Sequence, residues 1–512
     1  MAKLSELIFK RSILLASFSV IQLLIIIALS LYLSIIMPYY FTVTSFLSLI
    51  AALVIINEDI NPSYKVSWLI LIMLFPIFGL ILYTFFRDNR LKSKEKKRLS
   101  YITDKIKNNV HKNEAVMEYL RDTDSRAYRQ AEYIAANFLS TPSNDTGSTY
   151  FSPGELLFDS IKKDLKKAEH YIFIEFYIIE TGRMWDEILE ILKEKREEGV
   201  EVRIIYDDIG CIARLSEKQI KELNDIGIQT ASFNQLSLKF SIGYNFRNHR
   251  KIVSIDGRIA YTGGINIGDN YINTEDQAIY WKDSGVRVEG EAAWSLSMMF
   301  LSIWEFFVGD DDDYAGYKPA FEPSDKVIPS NGIVQAFSDN PLTSELITEN
   351  IFLNMIYSAK DYIYIKTPYL IPGDKMKSAL TVAAKSGIDV RIMMPGVPDK
   401  KMVNETSKSY YADLISKGVK IYEYTPGFMH EKVMIADDIY AINSTANMDY
   451  RSMCLSFECG LWFYKARIIE PMKEDFTESF KESKLVTMED IRNVPKYKRL
   501  SRAVFRLFSP LM

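Results

Sequence analysis

The hydrophobic and polar positions of this 512-residue chain divide it into an apolar beginning and a long alternating remainder. Three apolar runs, Ser12 to Met37, Phe41 to Ile56 and Val66 to Phe86, carry no charged residue. The first and third are long enough to cross a bilayer as helices, and the second is near the lower limit. The pattern therefore predicts a membrane anchor of two to three transmembrane helices over residues 1–90. Buried helices of a soluble domain are the weaker alternative.

Basic residues beside the apolar block predict its orientation. The run from Arg87 to Arg98 is the densest basic segment and directly follows the last apolar run. Cytoplasmic flanks of membrane proteins carry such an excess, so the rest of this multi-pass chain is expected in the cytoplasm. Lys3, Lys10 and Arg11 also favour the inside. Two inside ends require an even number of spans, so one of the three runs would then be half of a hairpin or lie in the interface, and the sequence leaves the count of two or three open.

After the anchor, the pattern changes to a charged, helix-prone connector over residues 91–150 and then to a regular alternation. The segment "HYIFIEFYII" predicts a buried strand, and "MWDEILEILKEKREEG" predicts an amphipathic helix. Such alternation of strands and helices is typical of the α/β class.

The alternation occurs twice in the same order. "KKAEHYIFIEFYII" is matched later by "YSAKDYIYIKTPYLI", and "EEGVEVRIIYDDI" is matched by "KSGIDVRIMMPGV". Landmarks that recur in one order at similar offsets indicate a duplicated domain. The two copies are expected over residues 151–317 and 331–485.

Two further segments stand outside these cores. The acidic stretch from Gly309 lacks the glycine and distal glutamate of a calcium loop, so we expect a solvated linker. The tail over residues 486–512 mixes basic and apolar residues and predicts a short basic amphipathic helix. That helix lies either on a membrane surface or against the globular part, and the sequence leaves both open.

Composition narrows the function. A formal net charge of −4 lacks the basic excess of a nucleic-acid-binding protein. Three cysteines, Cys211, Cys454 and Cys459, are too few for a disulfide framework or a four-ligand zinc site, which fits a reducing compartment. We expect no metal and no cofactor.

Two of only four histidines stand in matching hairpins, one in each copy. The first reads "NHRKIVSIDGRIAYTGGIN" and the second "MHEKVMIADDIYAINSTANMD". Side chains two apart on a strand point the same way, so His249 should share a face with Lys251, and His430 with Lys432. An ammonium can hold a phosphate oxygen, while an imidazole can attack phosphorus or carry a proton. The sequence therefore predicts phosphoryl-transfer chemistry.

Other residues of the hairpins receive different roles. Asp256 and Asp437 complete the catalytic motif, but they fall at the turns, so we expect their role in it to be structural. Asn266 and Asn447 follow the histidines at equal spacing and are candidates for binding the substrate phosphate.

A single hairpin of this kind is equally compatible with an ordinary strand that contains a buried histidine and has no catalytic role. Two matches at corresponding places, in a chain so poor in histidine, argue against that alternative. His111 and His170 lack these neighbours and are interpreted as ordinary histidines.

The repeated pattern HxKxxxxD followed by paired small residues resembles the phospholipase D superfamily. The apolar anchor with "FRNHRKIVSIDGRIAYTGGINIGDNY", "TPYLIPGDKM" and "ANMDYRS" resembles its bacterial cardiolipin synthase branch over nearly the whole chain. The resemblance implies two duplicated phospholipase D-like domains, each a mixed β-sheet flanked by helices, behind N-terminal transmembrane helices in the bacterial cell membrane. It implies that two phosphatidylglycerol molecules give cardiolipin and glycerol through a phosphatidyl-histidine.

The same resemblance implies roles for individual residues. His249 is the more usual nucleophile, and His430 acts as acid and then base. Asp283 and Glu458 stand where a carboxylate orients each imidazole, with the pairing left open. Phosphatidylglycerol and membrane lipid are the expected partners, and nucleic acid is not expected to bind. The sequence contains no indication of protein partners. A hydrolase that uses water as the acceptor is the alternative function.

Four positions depart from the usual family pattern. Ser444 and Thr445 replace a glycine–serine pair, Gly285 stands where histidine is frequent, and Ser456 replaces a frequent asparagine. These changes bear on the choice of acceptor, whereas both histidine–lysine pairs are intact.

Overall fold

The computed structural model describes residues 20–30, 40–58, 62–86, 93–110, 113–138, 140–144, 146–235, 245–275, 277–320, 331–343 and 345–511. These residues divide into two compact units. The smaller comprises the described parts of Met1–Arg90, Lys239–Asn245 and Leu507–Met512, and the larger those of Leu91–Leu238 and Phe246–Arg506.

The smaller unit contains apolar helices. They are α1 (Tyr40–Asn57), α2 (Pro62–Leu74) and α3 (Pro76–Phe86), and residues 20–30 are also helical. The predicted span from Val66 to Phe86 is thus divided in two. Proline cannot donate a backbone hydrogen bond and clashes with the preceding turn, so Pro76 begins a new helix.

The described helices bear on the predicted membrane anchor. Within the described residues, no helix is both long and apolar enough to cross a bilayer. Much of the predicted run from Ser12 to Met37 lies outside the described residues, as do Lys3, Lys10, Arg11 and the segment 87–92. His111 lies outside them as well.

The larger unit begins with connector helices and continues into the two repeats. The helices up to the second repeat are α4 (Ser93–Asn109), α5 (Glu114–Thr123), α6 (Ser125–Phe138), α7 (Gly154–Leu165), α8 (Arg183–Glu197), α9 (Asp208–Cys211), α10 (Glu217–Asp225), α11 (Glu291–Val308) and α12 (Tyr314–Tyr317). Those that follow are α13 (Ile347–Ser358), α14 (Asp374–Lys385), α15 (Lys401–Lys408), α16 (Tyr411–Ile415), α17 (Tyr450–Cys454), α18 (Ile469–Lys481), α19 (Met488–Arg492) and α20 (Lys496–Phe508). A short 3₁₀ turn covers Asp269–Ile272, and a second, Ser509–Leu511, belongs to the smaller unit.

The first repeat forms a seven-stranded mixed sheet in the order β1-β9-β7-β6-β2-β3-β4. Its strands are β1 (Gly147–Phe151), β2 (Tyr171–Phe176), β3 (Glu201–Asp207), β4 (Gln229–Phe233), β6 (Lys251–Ile255), β7 (Ile259–Gly263) and β9 (Gly285–Glu289). All six residues of β2 are buried, as expected for a central strand covered by helices on both faces.

The second repeat repeats this order as β10-β19-β17-β16-β11-β13-β14, with β20 added at the edge. Its strands are β10 (Ile333–Asp339), β11 (Tyr362–Lys366), β13 (Asp389–Pro395), β14 (Lys420–Tyr424), β16 (Val433–Ala436), β17 (Tyr440–Ser444), β19 (Ser456–Tyr464) and β20 (Ser483–Leu485). The matching strand orders confirm the predicted α/β class with two mixed sheets.

The remaining strands are short, and some of them join the repeats to each other. They are β5 (Arg247–Asn248), β8 (Tyr280–Lys282), β12 (Leu370–Ile371), β15 (Gly427–Met429) and β18 (Met448–Asp449). Strand β5 of the first repeat pairs with β19 of the second, and β15 of the second pairs with β8 of the first. The two repeats therefore exchange backbone hydrogen bonds and pack as a single unit.

We expected the acidic stretch after Gly309 to be a solvated linker, but two of its aspartates form ion pairs with other parts of the larger unit. The Arg203 guanidinium donates two hydrogen bonds, of 2.6 and 3.0 Å, to the carboxylate of Asp312. Lys105 lies 2.7 Å from Asp311. These ion pairs attach the stretch to β3 and to the connector helix α4.

Candidate active site

Each histidine lies just before a hairpin strand instead of within it. The prediction placed His249 on the strand, but β6 begins at Lys251, and β16 likewise begins after Lys432. The segment before each strand pairs with the other repeat, which bends the chain away from its own sheet at the histidine. The side-chain Nζ of Lys251 nevertheless donates a hydrogen bond to the backbone oxygen of His249 at 2.6 Å, so the two residues remain in direct contact.

The motif aspartates lie at the far end of the hairpins. The Asp256 carboxylate accepts hydrogen bonds from the backbone amides of residues 169–171, at 2.7 to 2.8 Å. Asp437 accepts three equivalent bonds from residues 360–362. Both aspartates have positive φ angles, of 51° and 56°, which suit the tight turn. The carboxylates brace the start of β2 and β11, which supports the structural role and separates them from the histidine–lysine pairs.

His249 is oriented by a carboxylate of the second repeat. Its Nδ1 lies 2.9 Å from Oε1 and 3.0 Å from Oε2 of Glu458. The pairing of β5 with β19 makes this possible, because the His249 amide donates to the oxygen of Phe457 at 2.9 Å. Thr445 also donates its hydroxyl to Glu458.

His430 is oriented by a carboxylate of the first repeat. Its Nδ1 lies 2.6 Å from Oδ2 of Asp283, and its amide donates to the oxygen of Lys282 at 2.8 Å. Strands β8 and β15 approach closely here, since a Cβ on Gly427 would lie 2.0 Å from the oxygen of Tyr280. The pairing that the sequence left open is therefore crossed, and each imidazole meets the carboxylate of the opposite repeat.

The lysines of the two motifs are buried, and burial lowers the pKa of each. Burial lowers the pKa of Lys251 to about 7, with the charge of Lys432 adding to the effect and Glu458 opposing it. Burial also lowers the pKa of Lys432 to about 8, while Asp283 opposes the shift. A phosphodiester anion between them would favour the charged ammonium of both.

The two imidazole–carboxylate pairs differ in where they hold a proton. Burial lowers the pKa of His249 to about 4, although Glu458 opposes the shift. Burial acts to raise the pKa of Glu458, but His249, Lys251 and Thr445 outweigh it and leave that pKa below its ordinary value. His249 is therefore a neutral imidazole beside an ionised carboxylate, with Nδ1 engaged and Nε2 free to attack.

The second pair carries a shared proton near neutral pH. Burial raises the pKa of Asp283 to about 7, although Lys432 opposes the shift. Burial, followed by the charge of Lys432, lowers the pKa of His430 well below its ordinary value. A carboxyl and an imidazole in contact titrate together, so one proton resides on the pair below about pH 7.

Aromatic rings shield the two histidines unequally. Trp281, Phe428 and Tyr271 surround His430 at ring-centroid distances of 5.6, 5.6 and 5.7 Å. Tyr177 lies 5.3 Å from the ring of His249. The greater enclosure of His430 helps to keep water from the proton that its pair carries.

The candidate asparagines lie in different surroundings. The Asn266 amide donates to the hydroxyl of Tyr271 at 2.7 Å and its oxygen accepts from the amide of Ile178, so it braces a ring beside His430. This engagement differs from the predicted phosphate contact. Among the described residues, the side-chain oxygen of Asn447 is buried without a hydrogen-bond partner. It remains a candidate for binding substrate.

The small residues after each hairpin differ for a steric reason. A Cβ on Gly264 would lie 2.0 Å from Oδ1 of Asp283, so this position must stay free of a side chain. At the matching place in the second repeat, Thr445 donates its hydroxyl to Glu458 instead. The departure from the family pattern thus keeps a functional hydroxyl.

Sequence reasoning missed a buried cluster of charges behind the second histidine. Lys366 lies 2.6 Å from Glu431 and 2.5 Å from Asp475, and Lys282 lies 2.6 Å from Asp475. Glu431 separates His430 from Lys432 in the chain and points to the opposite side. These four residues, Lys282, Lys366, Glu431 and Asp475, are called the charge quartet below. Their separation in sequence hides the cluster, and only the unusual lysine in strand "YIYIK" signals it.

The first repeat has the opposite charges at the same places. Glu175 occupies the position of Lys366 on the matching strand, since each pairs with the residue directly after its motif lysine. Arg250 occupies the position of Glu431. Strand β2 of the first repeat therefore carries an anion at the position where β11 of the second repeat carries a cation.

The quartet predicts a specific effect on stability. Lys366→Met leaves two buried carboxylates facing one ammonium, which should cost about 3 kcal/mol and lower the melting temperature. Adding Glu431→Gln removes the uncompensated charge, so the double variant should be less destabilised than the sum of the single variants. Thermal unfolding of all three purified proteins measures this. Strict additivity would show that the two side chains act independently.

The described residues contain no group of three or more His, Cys, Asp or Glu side chains arranged to hold a metal ion. Imidazoles, ammonium groups and carboxylates are the reactive groups that these residues bring together.

Comparison with known proteins places this geometry in a family. A family model described as "Cardiolipin synthase, PLD-like domain" matches residues 161–304 and 352–480, one range within each repeat. A second model, "Phospholipase_D-nuclease N-terminal", matches residues 46–87. The chain belongs to the cardiolipin synthase family of the phospholipase D superfamily.

Individual relatives agree with this membership. The chain is 36% identical over 466 residues to a cardiolipin synthase of Halalkalibacterium halodurans, covering 90% of this chain and 91% of the relative. It is 38% identical over 462 residues to an uncharacterized protein of Streptococcus mutans, covering 90% and 99%. A phosphatidylserine synthase of Haemophilus influenzae shares the fold with a TM-score of 0.55 at 12% identity, covering 71% of this chain and 95% of that one. The protein is an enzyme of the cardiolipin synthase type, a phosphatidyltransferase.

Proposed function

We propose that this enzyme joins two phosphatidylglycerol molecules to give cardiolipin and glycerol. The observation that carries the proposal is the crossed arrangement, in which each motif histidine is oriented by a carboxylate of the opposite repeat. This arrangement supplies two imidazole–carboxylate pairs, one with an ionised carboxylate and one with a shared proton, which suits a two-step transfer.

In the first step, Nε2 of His249 attacks the phosphorus of one phosphatidylglycerol. The bond from phosphorus to the headgroup glycerol oxygen breaks, and the His430–Asp283 pair gives its proton to that oxygen. Glycerol leaves, and a phosphatidyl group remains on His249. Lys251 and Lys432 stabilise the charge that develops on the non-bridging oxygens.

In the second step, a headgroup hydroxyl of another phosphatidylglycerol attacks the phosphatidyl-histidine. His430 takes the hydroxyl proton, a new oxygen–phosphorus bond forms, and the bond to His249 breaks. The product is cardiolipin, and both histidines return to their starting states. We propose that the side-chain oxygen of Asn447 accepts a hydrogen bond from a hydroxyl of the headgroup, because this buried oxygen has no partner among the described residues.

We further propose that residues 1–90 anchor the enzyme in the bacterial cell membrane through two to three transmembrane helices. The connector 91–150 and the catalytic domains 151–317 and 331–485 then lie in the cytoplasm. The charge-free apolar runs and the basic segment that follows them support this topology.

The function is tested with the full chain reconstituted in vesicles that contain phosphatidylglycerol labelled in its headgroup glycerol and in its acyl chains. We expect acyl-labelled cardiolipin and free labelled glycerol in equal amounts. Phosphatidic acid with glycerol, and no cardiolipin, would instead show a hydrolase. Vesicles with His249→Gln provide the background.

The pKa values predict how activity depends on pH. His249, with a pKa of about 4, is neutral above that value. The proton shared by Asp283 and His430 and the charge of Lys251 are lost as pH rises through about 7. We therefore expect kcat/KM to be high between about pH 5 and 7 and to fall on the alkaline side. A kcat/KM that rises steadily from neutral to alkaline pH would contradict these proton assignments.

A further inference from the structure

The C-terminal helix α20 exposes the side that a surface helix normally buries. Tyr497, Leu500, Val504 and Leu507 are 70%, 68%, 47% and 38% exposed. Spacings of three and four residues place these side chains on one face of the helix. They form a continuous apolar stripe, called the outer stripe below.

The inward side of α20 is basic. Arg502 lies 2.7 Å from the carboxylate of Glu405 on α15. The Arg506 guanidinium lies 4.3 Å above the ring of Tyr410 and donates to the oxygen of Ser409 at 3.3 Å. A helix docked on a globular protein ordinarily turns its apolar side inward. Here an ion pair, a cation–π contact and a hydrogen bond hold α20 in the reverse orientation, which leaves the outer stripe for another partner.

The charges next to the outer stripe indicate the chemistry of that partner. Lys496, Lys498 and Arg499 are exposed in the first turn of α20, and the helix contains no acidic residue. Apolar side chains bordered by cations match a surface with hydrocarbon beneath anionic headgroups.

The end of this segment is tied to an apolar helix. The hydroxyl of Ser67 on α2 donates to the backbone oxygen of Leu507 at 2.8 Å, within the smaller unit. Helix α2 itself exposes Val66, Met73 and Leu74. Leu507 therefore belongs, together with α2, to a unit that exposes apolar side chains.

We propose that α20 lies on the surface of an anionic phospholipid bilayer. Tyr497, Leu500 and Val504 enter the acyl region, and the exposed Lys496 and Lys498 contact the headgroups. The proposal does not depend on the reaction, because any anionic lipid supplies this surface.

The test uses the full chain carrying Leu500→Cys, labelled with a polarity-sensitive thiol dye and reconstituted in vesicles. Phosphatidylserine supplies the anionic charge, so the proposed substrate is absent. We expect blue-shifted emission and quenching by spin-labelled acyl chains in phosphatidylserine–phosphatidylcholine vesicles, and several-fold less quenching in phosphatidylcholine alone. Glu197→Cys, exposed on α8, is the matched control and should stay water-like. The unsubstituted protein, with its own three cysteines, gives the labelling background.

A charge variant tests whether anionic headgroups attract the helix. Lys496→Gln and Lys498→Gln together should remove most of the preference for anionic vesicles, since each surface cation contributes about fivefold to anionic-lipid binding. Water-like emission in every vesicle, equal quenching with and without phosphatidylserine, or a shift that depends only on protein density would overturn the proposal. The last outcome would point to a second copy of the chain.

Protection from trypsin gives an independent measurement on the unsubstituted protein. Cleavage after Lys496, Lys498 and Arg499 should slow several-fold in phosphatidylserine-containing vesicles relative to phosphatidylcholine vesicles. Equal cleavage rates in both would count against the proposal even if a labelled variant folded poorly.

Discussion

His249→Gln is expected to lower the turnover of phosphatidylglycerol by about 10⁴-fold or more. Glutamine keeps a polar side chain of similar length, but it has no nitrogen lone pair that can attack phosphorus. His430→Gln should be similarly inactive with the natural substrate, because the leaving glycerol oxygen then receives no proton. Cardiolipin formation by the reconstituted variants measures both effects.

His170→Gln is the matched control for these substitutions. His170 is exposed and lies outside the histidine–lysine pairs, so its variant should keep full activity. An active His249→Gln enzyme would remove the nucleophile from the proposed mechanism, whatever the fate of His430.

Glu458→Gln and Asp283→Asn are expected to lower kcat by about 10² to 10⁴-fold with little change in fold. Each amide preserves the shape of the carboxylate but removes the charge that stabilises the imidazolium. The effects should differ in pH dependence. Asp283→Asn removes the proton shared with His430 and should alter the alkaline limb, whereas Glu458→Gln should leave that limb in place.

Asp256→Asn provides the contrast to these two variants. Its carboxylate accepts three backbone hydrogen bonds away from the histidines, so the change should cost about 1 to 3 kcal/mol of stability. Activity per folded molecule should stay near that of the unsubstituted enzyme. A stable but inactive Asp256→Asn protein would refute the structural role of the motif aspartates.

Much of the fold follows from local sequence patterns. Strand β2 and helix α8 were predictable because their hydrophobic periods are strong, and the duplication because both copies keep the same order of landmarks. The histidine–lysine pairs were predictable because each pair is adjacent in sequence. The tight turns at Asp256 and Asp437 follow from the same local signals.

The crossed carboxylates could not be assigned from sequence. They depend on β5 pairing with β19 and on β15 pairing with β8. The first pairing involves only two residues of each strand, and the second only three. Such short strands leave no periodic signal. The charge quartet was hidden for a related reason, since Lys366, Glu431 and Asp475 meet only after the second sheet is assembled.

The orientation of α20 is also beyond sequence reasoning. The sequence predicts an amphipathic helix, but either face could point inward. The ion pair between Arg502 and Glu405 decides the question, and its partner lies on a different helix.

The central claim is that the two repeats supply a nucleophile and an acid to one phosphodiester. The most direct test uses a phosphatidyl ester of p-nitrophenol, whose leaving group departs without a proton. With this donor, His430→Gln should release one equivalent of nitrophenol in a rapid burst and carry a labelled phosphatidyl group on the peptide that contains His249. His249→Gln should give no burst. A burst that persists in His249→Gln, or a label found on His430, would contradict the account.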